Sequence, residues 1–162
     1  MLLNKNWKIY SIYIICIECL VAFTYFMNAN ATAAELQLRP ISTAGFYEFS
    51  LEVHKAEKLA GMKITNLYPE KFLHFKTAEK MSAFKEFTHI INDNDPGKLT
   101  IVMASAKGVS GENLRILKLN FIPSLEKHHF SIEIESNSCQ LMNENLQEIA
   151  CEISTNIKQD VL

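Results

Sequence analysis

Apolar positions recur every second residue along most of this chain, in short runs separated by turn residues. From Phe46 to His54 the alternation is strict. Tyr47, Phe49, Leu51 and Val53 share one side, while Glu48, Ser50, Glu52 and His54 share the other. A pleated strand with one buried face has this pattern. Lys55 to Ala60 reads as a short connection, and Gly61 to Tyr68 as the next strand, with Met62, Ile64 and Tyr68 on one face. Pro69-Glu70-Lys71 turns the chain into a strand from Phe72 to Lys76 carrying Leu73 and Phe75. Phe87 to Asn92 is a further strand. Leu99 to Ala106 is apolar on both faces, with Leu99, Ile101 and Met103 on one and Val102, Ala104 and Ala106 on the other. That pattern predicts a strand lying between other elements and not at an edge. Leu117, Leu119 and Phe121 alternate with Lys118 and Asn120 until Pro123 ends the run. Phe130, Ile132 and Ile134 alternate in the same way. Ser138–Met142 and Glu148–Ser154 form a last hairpin around Asn143-Glu144-Asn145. Upstream, Leu36 to Ile41 suits an edge strand, where Pro40 is tolerated.

The punctuation supports the same reading. Asp95-Pro96-Gly97-Lys98 places proline where φ near −65° is wanted and glycine where φ is positive, as a type II turn requires. Lys107 to Asn113, with Gly108 and Gly111, reads as a glycine-punctuated loop. Met81, Phe84 and Lys85 stand at helical spacing, so one or two helical turns are expected near residues 78–86, dependent on packing. Short strands at regular spacing predict an all-β fold, an antiparallel β-sandwich of about nine strands with jelly-roll topology. The domain proper is assigned to residues 46–154. A lead-in with the edge strand occupies 34–45, and a polar, fraying tail 155–162.

The 162 residues are enough for one domain, and a formal net charge of −2 offers no attraction to nucleic acid or an anionic membrane surface. The first 33 residues stand apart. Lys5 and Lys8 precede an apolar run from Ile9 to Phe26, followed by Asn28-Ala29-Asn30-Ala31-Thr32-Ala33. This order is that of a secretory signal peptide, with cleavage after Ala31 or Ala33. The alternative is an uncleaved membrane anchor. Its length is at the lower end for a span, and Glu18 would cost about 2.5–3.5 kcal/mol at a bilayer centre. Secretion, to the medium or the cell envelope, is therefore expected. Cleavage removes Trp7, Cys16 and Cys19, leaving Cys139 and Cys151 as the cysteines of the mature chain.

Five motifs in order resemble the cohesin domain family. They are Leu59-Ala60-Gly61-Met62-Lys63-Ile64, Tyr68-Pro69-Glu70-Lys71-Phe72-Leu73-His74-Phe75, Asn94-Asp95-Pro96-Gly97-Lys98-Leu99, Ala104-Ser105-Ala106-Lys107-Gly108-Val109-Ser110-Gly111 and Leu117-Lys118-Leu119-Asn120-Phe121. The resemblance covers roughly Phe46 to Ser154. It implies a nine-stranded jelly roll that recognises a dockerin-like protein through one face of the sandwich, in extracellular polysaccharide-related assembly. The implied surface is the sheet containing Gly61–Tyr68 and Lys98–Ala106, with the turn at Asn92–Asp95 and the loop at Lys107–Gly111. Its candidate binding residues are Asn66, Asn92, Asp93, Asp95, Ser105 and Lys107. Two positions depart from the family pattern. Pro69 holds the slot of a family aspartate, and Lys107 stands where an acidic residue is common.

Cys139 and Cys151 lie symmetrically about Asn145. In a hairpin centred there they face each other within disulfide reach, and a secreted chain meets oxidising conditions. Two buried free thiols are the alternative. Asp93-Asn94-Asp95 fails as a calcium loop, because Gly97 and Ala104 occupy the wrong positions counted from Asp93. The histidines His54, His74, His89, His128 and His129 lack zinc-site spacing. Ser110 is not in a nucleophile elbow. Glu133 and Glu135, about 7 Å apart on one strand face, suit a solvated surface better than paired catalysis. The expectation is a binding module without catalysis, metal or cofactor. Direct carbohydrate binding is the alternative to a protein partner, with Tyr68, Phe72 and Phe87 as the aromatic candidates. Cell-envelope adhesion is a further one, and the oligomeric state is left open.

Overall fold

The computed structural model describes residues 33–43, 46–124, 130–134, 138–154 and 156–159. The N-terminal segment read as a signal peptide and His128, His129 and Glu135 lie outside the described residues, as do the side chains of Phe130 to Ile134. The described residues belong to one compact unit, residues 32–162.

The described residues form ten strands: β1 (Ala34–Thr43), β2 (Phe46–Leu67), β3 (Leu73–Lys80), β4 (Thr88–Asn92), β5 (Lys98–Pro123), β6 (Phe130–Ile134), β7 (Gln140–Asn143), β8 (Glu148–Ile149), β9 (Cys151–Ile153) and β10 (Asn156–Gln159). The two long strands, β2 and β5, run antiparallel through both leaves of a sandwich. In the first leaf, Tyr47–His54 of β2 pairs with Asn113–Phe121 of β5. β1 then flanks β2, β3 flanks β5, and β9 joins β1 in parallel. In the second leaf, Gly61–Leu67 of β2 pairs with Lys98–Ala104 of β5. β4 lies on the far side of β5, and β7 and β6 on the far side of β2. β10 continues from β6, which makes strand of a tail expected to fray.

One hydrophobic core fills the space between the leaves. From the first come Leu36, Leu38, Phe49, Leu51, Val53, Leu117, Leu119 and Phe121; from the second, Met62, Ile64, Leu99, Ile101, Met103 and Leu141. Every residue of the Phe49–Leu51–Val53 alternation is fully buried, as its period-two pattern requires. Phe121 is the aromatic hub. Phe49, Tyr68 and Phe75 meet its ring edge-on at centroid distances of 5.8, 5.2 and 5.7 Å, a geometry the ring quadrupole favours.

Several expectations need correction. Lys55–Ala60 is not a connection, and Lys107–Asn113 is not a loop. Both belong to continuous strands that cross from one leaf to the other. Register shifts between Ala56 and Leu59 and between Leu59 and Gly61 mark the bulges that bend β2. Lys55 and Lys58 take positive φ values of 56° and 51° there. β5 follows the bend closely: a Cβ on Gly108 would lie 2.4 Å from the Lys58 carbonyl oxygen. A second bulge, opposite Leu51 and Glu52, turns both Ile116 and Leu117 inward. The helical turns expected at residues 78–86 reduce to one 3-10 turn, Ser82–Phe84, because Ala78–Lys80 continue β3 against Leu117–Leu119. Phe84 still buries its ring. β1 is not an edge along its whole length, since β9 covers Ala34–Leu36; Pro40, paired with Phe49 of β2, falls beyond that cover, at an edge where proline is tolerated.

The type II turn forms as its sequence prescribes: Lys98 N–H donates to the Asp95 carbonyl at 3.0 Å, and Gly97 takes φ of 72°. A disulfide joins Cys139 to Cys151 with Cα atoms 6.3 Å apart. Leu141 opposes Ile149 and Met142 opposes Glu148, a register centred on Asn145. Because β9 pairs with β1, the bond links the second leaf to the first.

Candidate docking face

The outer faces of the two leaves differ in chemistry. On the first leaf the charged outward positions are paired with one another. Glu52 lies between Arg39 at 3.5 Å and Arg115 at 3.3 Å. Lys118 lies between Glu48 at 3.3 Å and Glu79 at 3.7 Å. These charges are compensated where they stand.

On the second leaf the strand register sets two rows of outward residues side by side. Ile90, Val102, Lys63 and Gln140 form one row; Thr88, Ala104, Gly61 and Met142 form the next. Ile90 is 66% exposed, Val102 38% and Met142 40%. Gly61 keeps the middle of the second row flat, since a Cβ there would come within 3.3 Å of the Met142 Cβ. Lys63 is the single formal charge in the two rows. Leu99 to Ala106 is therefore central in its sheet but not buried on both faces. Leu99, Ile101 and Met103 fill the core, whereas Val102, Ala104 and Ala106 face outward. The apolar second face is a surface, not an interior.

The sequence candidates distribute around this face unevenly. Asn92, Asp93 and Asp95 are exposed at the β4–β5 turn, where the Asn92 side-chain oxygen accepts from Asn94 N–H at 3.0 Å. Ser105 and Lys107 lie at the other end of the leaf, with the Ser105 hydroxyl accepting from Lys107 N–H at 3.2 Å. The Lys98–Ala106 strand between the two groups spans roughly 26 Å, so they flank the face and do not meet. Asn66 is a correction. It is fully buried on the inward side, with Met62 and Ile64, and cannot touch a partner docked outside. Its side-chain oxygen and nitrogen have no hydrogen-bond partner among the described residues. Sequence reasoning missed Ile90, Thr88, Lys63 and Met142. The signal that could have found Val102 and Ala104 was the second apolar face itself.

At the Lys107 end, a clasp fixes the strand crossing. Lys58 Nζ lies 2.9 Å from Glu144 Oε1. Gly108 N–H donates to Glu144 Oε2 at 3.3 Å, and Lys58 N–H donates to the Ser110 hydroxyl at 2.8 Å. The Lys58 hydrogen bond is the largest influence holding the Glu144 carboxyl below the usual carboxylate range, and the Glu144 hydrogen bond raises the Lys58 ammonium above its ordinary value. At the other end, burial and then the nearby Asp93 and Glu70 raise the Tyr68 phenol. Among the described residues no three His, Cys, Asp or Glu side chains gather as a metal site would need.

No family model and no curated protein sequence matches the chain. Solved structures do. CaCohA2 from Clostridium acetobutylicum superposes with a TM-score of 0.67 at 15% identity, over 80% of this chain and 90% of that one. The sixth cohesin of scaffoldin B from Acetivibrio cellulolyticus, solved with a dockerin, gives 0.63 at 16%, over 77% and 96%. A non-cellulosomal cohesin from the hyperthermophilic archaeon Archaeoglobus fulgidus gives 0.63 at 9%, over 75% and 86%. The chain has a cohesin-like fold. At these identities the likeness speaks for the architecture of this cohesin-like chain; its binding chemistry has to be argued from its own outer face.

Proposed function

We propose that this chain is a secreted, non-catalytic recognition module that docks a dockerin-like protein on the outer face of its second leaf, within an extracellular polysaccharide-related assembly. The observation that carries the reading is the exposed apolar pair Ile90–Val102 beside Ala104, Gly61 and Met142 on adjoining strands of one sheet. Contiguous apolar surface on a soluble domain marks a contact site. On the opposite leaf the described outward residues Arg39, Glu48, Glu52, Glu79, Arg115 and Lys118 are engaged in ion pairs. Structural neighbours that bind dockerins support the choice of partner class. The N-terminal pattern of Lys5, Lys8, the apolar run and the small residues up to Ala33 supports secretion.

The test is a pull-down of the source cell's secreted and envelope fractions with the wild-type chain and with Val102→Lys, run beside a polysaccharide pull-down. Capture of a protein carrying paired calcium-loop repeats, weakened about tenfold or more by the lysine, is the expected result. Retention on polysaccharide without a protein partner would overturn it. The aromatic side chains weigh against that outcome: Tyr68 packs on Phe121, and Phe87 is buried with its centroid 4.9 Å from that of Phe84.

A further inference from the structure

We infer that Lys63 makes the docking face selective for a protein that sets an Asp or Glu carboxylate at the centre of its apolar contact, an inference that rests on the docking reading above. Lys63 is exposed in the interior of the second leaf. Val102 and Gln140 flank it across the sheet, and Gly61 and Thr65 stand two residues away on either side in β2. Ala104, Met142 and Thr100 occupy diagonal positions. None of these neighbours is charged. Among the described residues no carboxylate forms an ion pair with Lys63. Glu148 of β8 faces the same way, opposite Met142, but β8 lies two strands from β2, at least about 9 Å away. On the first leaf, by contrast, Arg39, Arg115 and Lys118 have carboxylates at 3.5, 3.3 and 3.3 Å.

Docking makes this uncompensated charge matter. A standard interface covers about 800 Å² on each side, a disc of roughly 16 Å radius when centred on the Val102–Lys63 pair. The lysine stem reaches about 6 Å, so its ammonium does not regain the water at the rim. Covered by an apolar surface, the ammonium loses its hydration with nothing in return, and affinity falls. A carboxylate opposite it offsets that loss through a charge-assisted hydrogen bond. The exposed Gln140 side chain beside it offers an amide donor to the same group. A basic residue at the facing position is rejected, since juxtaposed like charges oppose association. Lys63 therefore sorts proteins that are equally apolar by the charge they carry at one point.

The experiment extends the pull-down to Lys63→Met and Lys63→Glu. The protein retained by the wild-type chain is purified as the probe and titrated against each variant by calorimetry. Lys63 is exposed, so both variants should keep the wild-type urea midpoint. Lys63→Met should weaken binding about thirtyfold or more, because the carboxylate of the probe is left buried and unpaired. Lys63→Glu should weaken it about a hundredfold or more, and replacing the facing carboxylate of the probe by lysine should restore binding to Lys63→Glu. The sign of the methionine effect decides. With no carboxylate facing Lys63, methionine removes a desolvation cost and leaves binding equal or tighter. That outcome, with Val102→Lys still disruptive, overturns this inference and leaves the docking face standing. Binding that neither Val102→Lys nor Lys63→Met alters overturns both. Retention on polygalacturonate in place of a protein, lost in Lys63→Met, also overturns the inference, since the facing anion then belongs to a polysaccharide.

Discussion

Substituting Gly108 by alanine tests the strand crossing that holds the docking face. Gly108 does not need glycine for its dihedral angles, since Gly97 is the glycine with positive φ among those described. It needs the missing side chain. A Cβ there would lie 2.4, 2.6 and 2.7 Å from the carbonyl oxygen, carbonyl carbon and Cα of Lys58. These are backbone atoms in a bulge pinned by Lys58 N–H to the Ser110 hydroxyl and by Glu144 N–H to the Lys58 carbonyl at 3.0 Å. Relief requires the two strands to part by more than half an ångström. Overpacking of this kind costs about 1–3 kcal/mol, and losing one or two of the pinning hydrogen bonds adds roughly 1 kcal/mol each. Gly108→Ala should therefore destabilise by about 2–5 kcal/mol. Gly111→Ala is the internal control. Its Cβ would meet the Leu114 side chain, at 2.6 Å from Cδ2, which is the far end of a flexible group. A rotamer change relieves that contact, so the loss should stay below about 1.5 kcal/mol. Urea unfolding at neutral pH with the disulfide intact reads both. If Gly111→Ala loses as much as Gly108→Ala, the close crossing of β2 and β5 is wrong.

Phe121→Ala should cost about 3–5 kcal/mol through the cavity left among Phe49, Tyr68 and Phe75, measurable as a lower urea midpoint. An effect under about 1 kcal/mol would refute its place as the hub. Replacing both Cys139 and Cys151 by alanine opens a link with a sequence separation of 12; about 2–3 kcal/mol should be lost on the chain-entropy account, and reducing agent should then no longer affect the variant. The Lys58–Glu144 clasp sets a pH dependence. The depressed Glu144 value gives stability present above the ordinary carboxylate value of 4.5 and lost as pH falls through its lower folded value. The raised Lys58 value gives stability present below 10.5 and lost as pH rises through its higher folded value. Glu144→Gln should flatten the acid limb in a urea-midpoint titration, and an unchanged limb would remove the clasp.

The sequence by itself determined what depends on local chemistry. Period-two alternation named Phe49, Leu51, Val53, Leu117, Leu119 and Phe121 as core, because the pleat puts alternate residues on one face whatever the partner strand is. Pro96-Gly97 determined its turn, because each residue restricts its own dihedral angles. The five ordered motifs carried the resemblance to a cohesin fold. Parity placed Asn66 inside with Met62 and Ile64, against its place among the binding residues implied by the resemblance, and it is fully buried. Tertiary structure decided the rest. Whether Lys55–Ala60 and Lys107–Asn113 are loops or bulged strands depends on what lies opposite, and Gly108 faces Lys58 from 50 residues away in sequence. Helical spacing at Met81 and Phe84 gave way to pairing of Ala78–Lys80 with β5, which satisfies more backbone groups than an isolated short helix. An apolar second face on Leu99–Ala106 is the same pattern for a doubly buried strand and for an exposed docking sheet. Only the absence of a covering layer over Val102 and Ala104 in the described residues distinguishes them, since burial is a property of the neighbours and not of the residue.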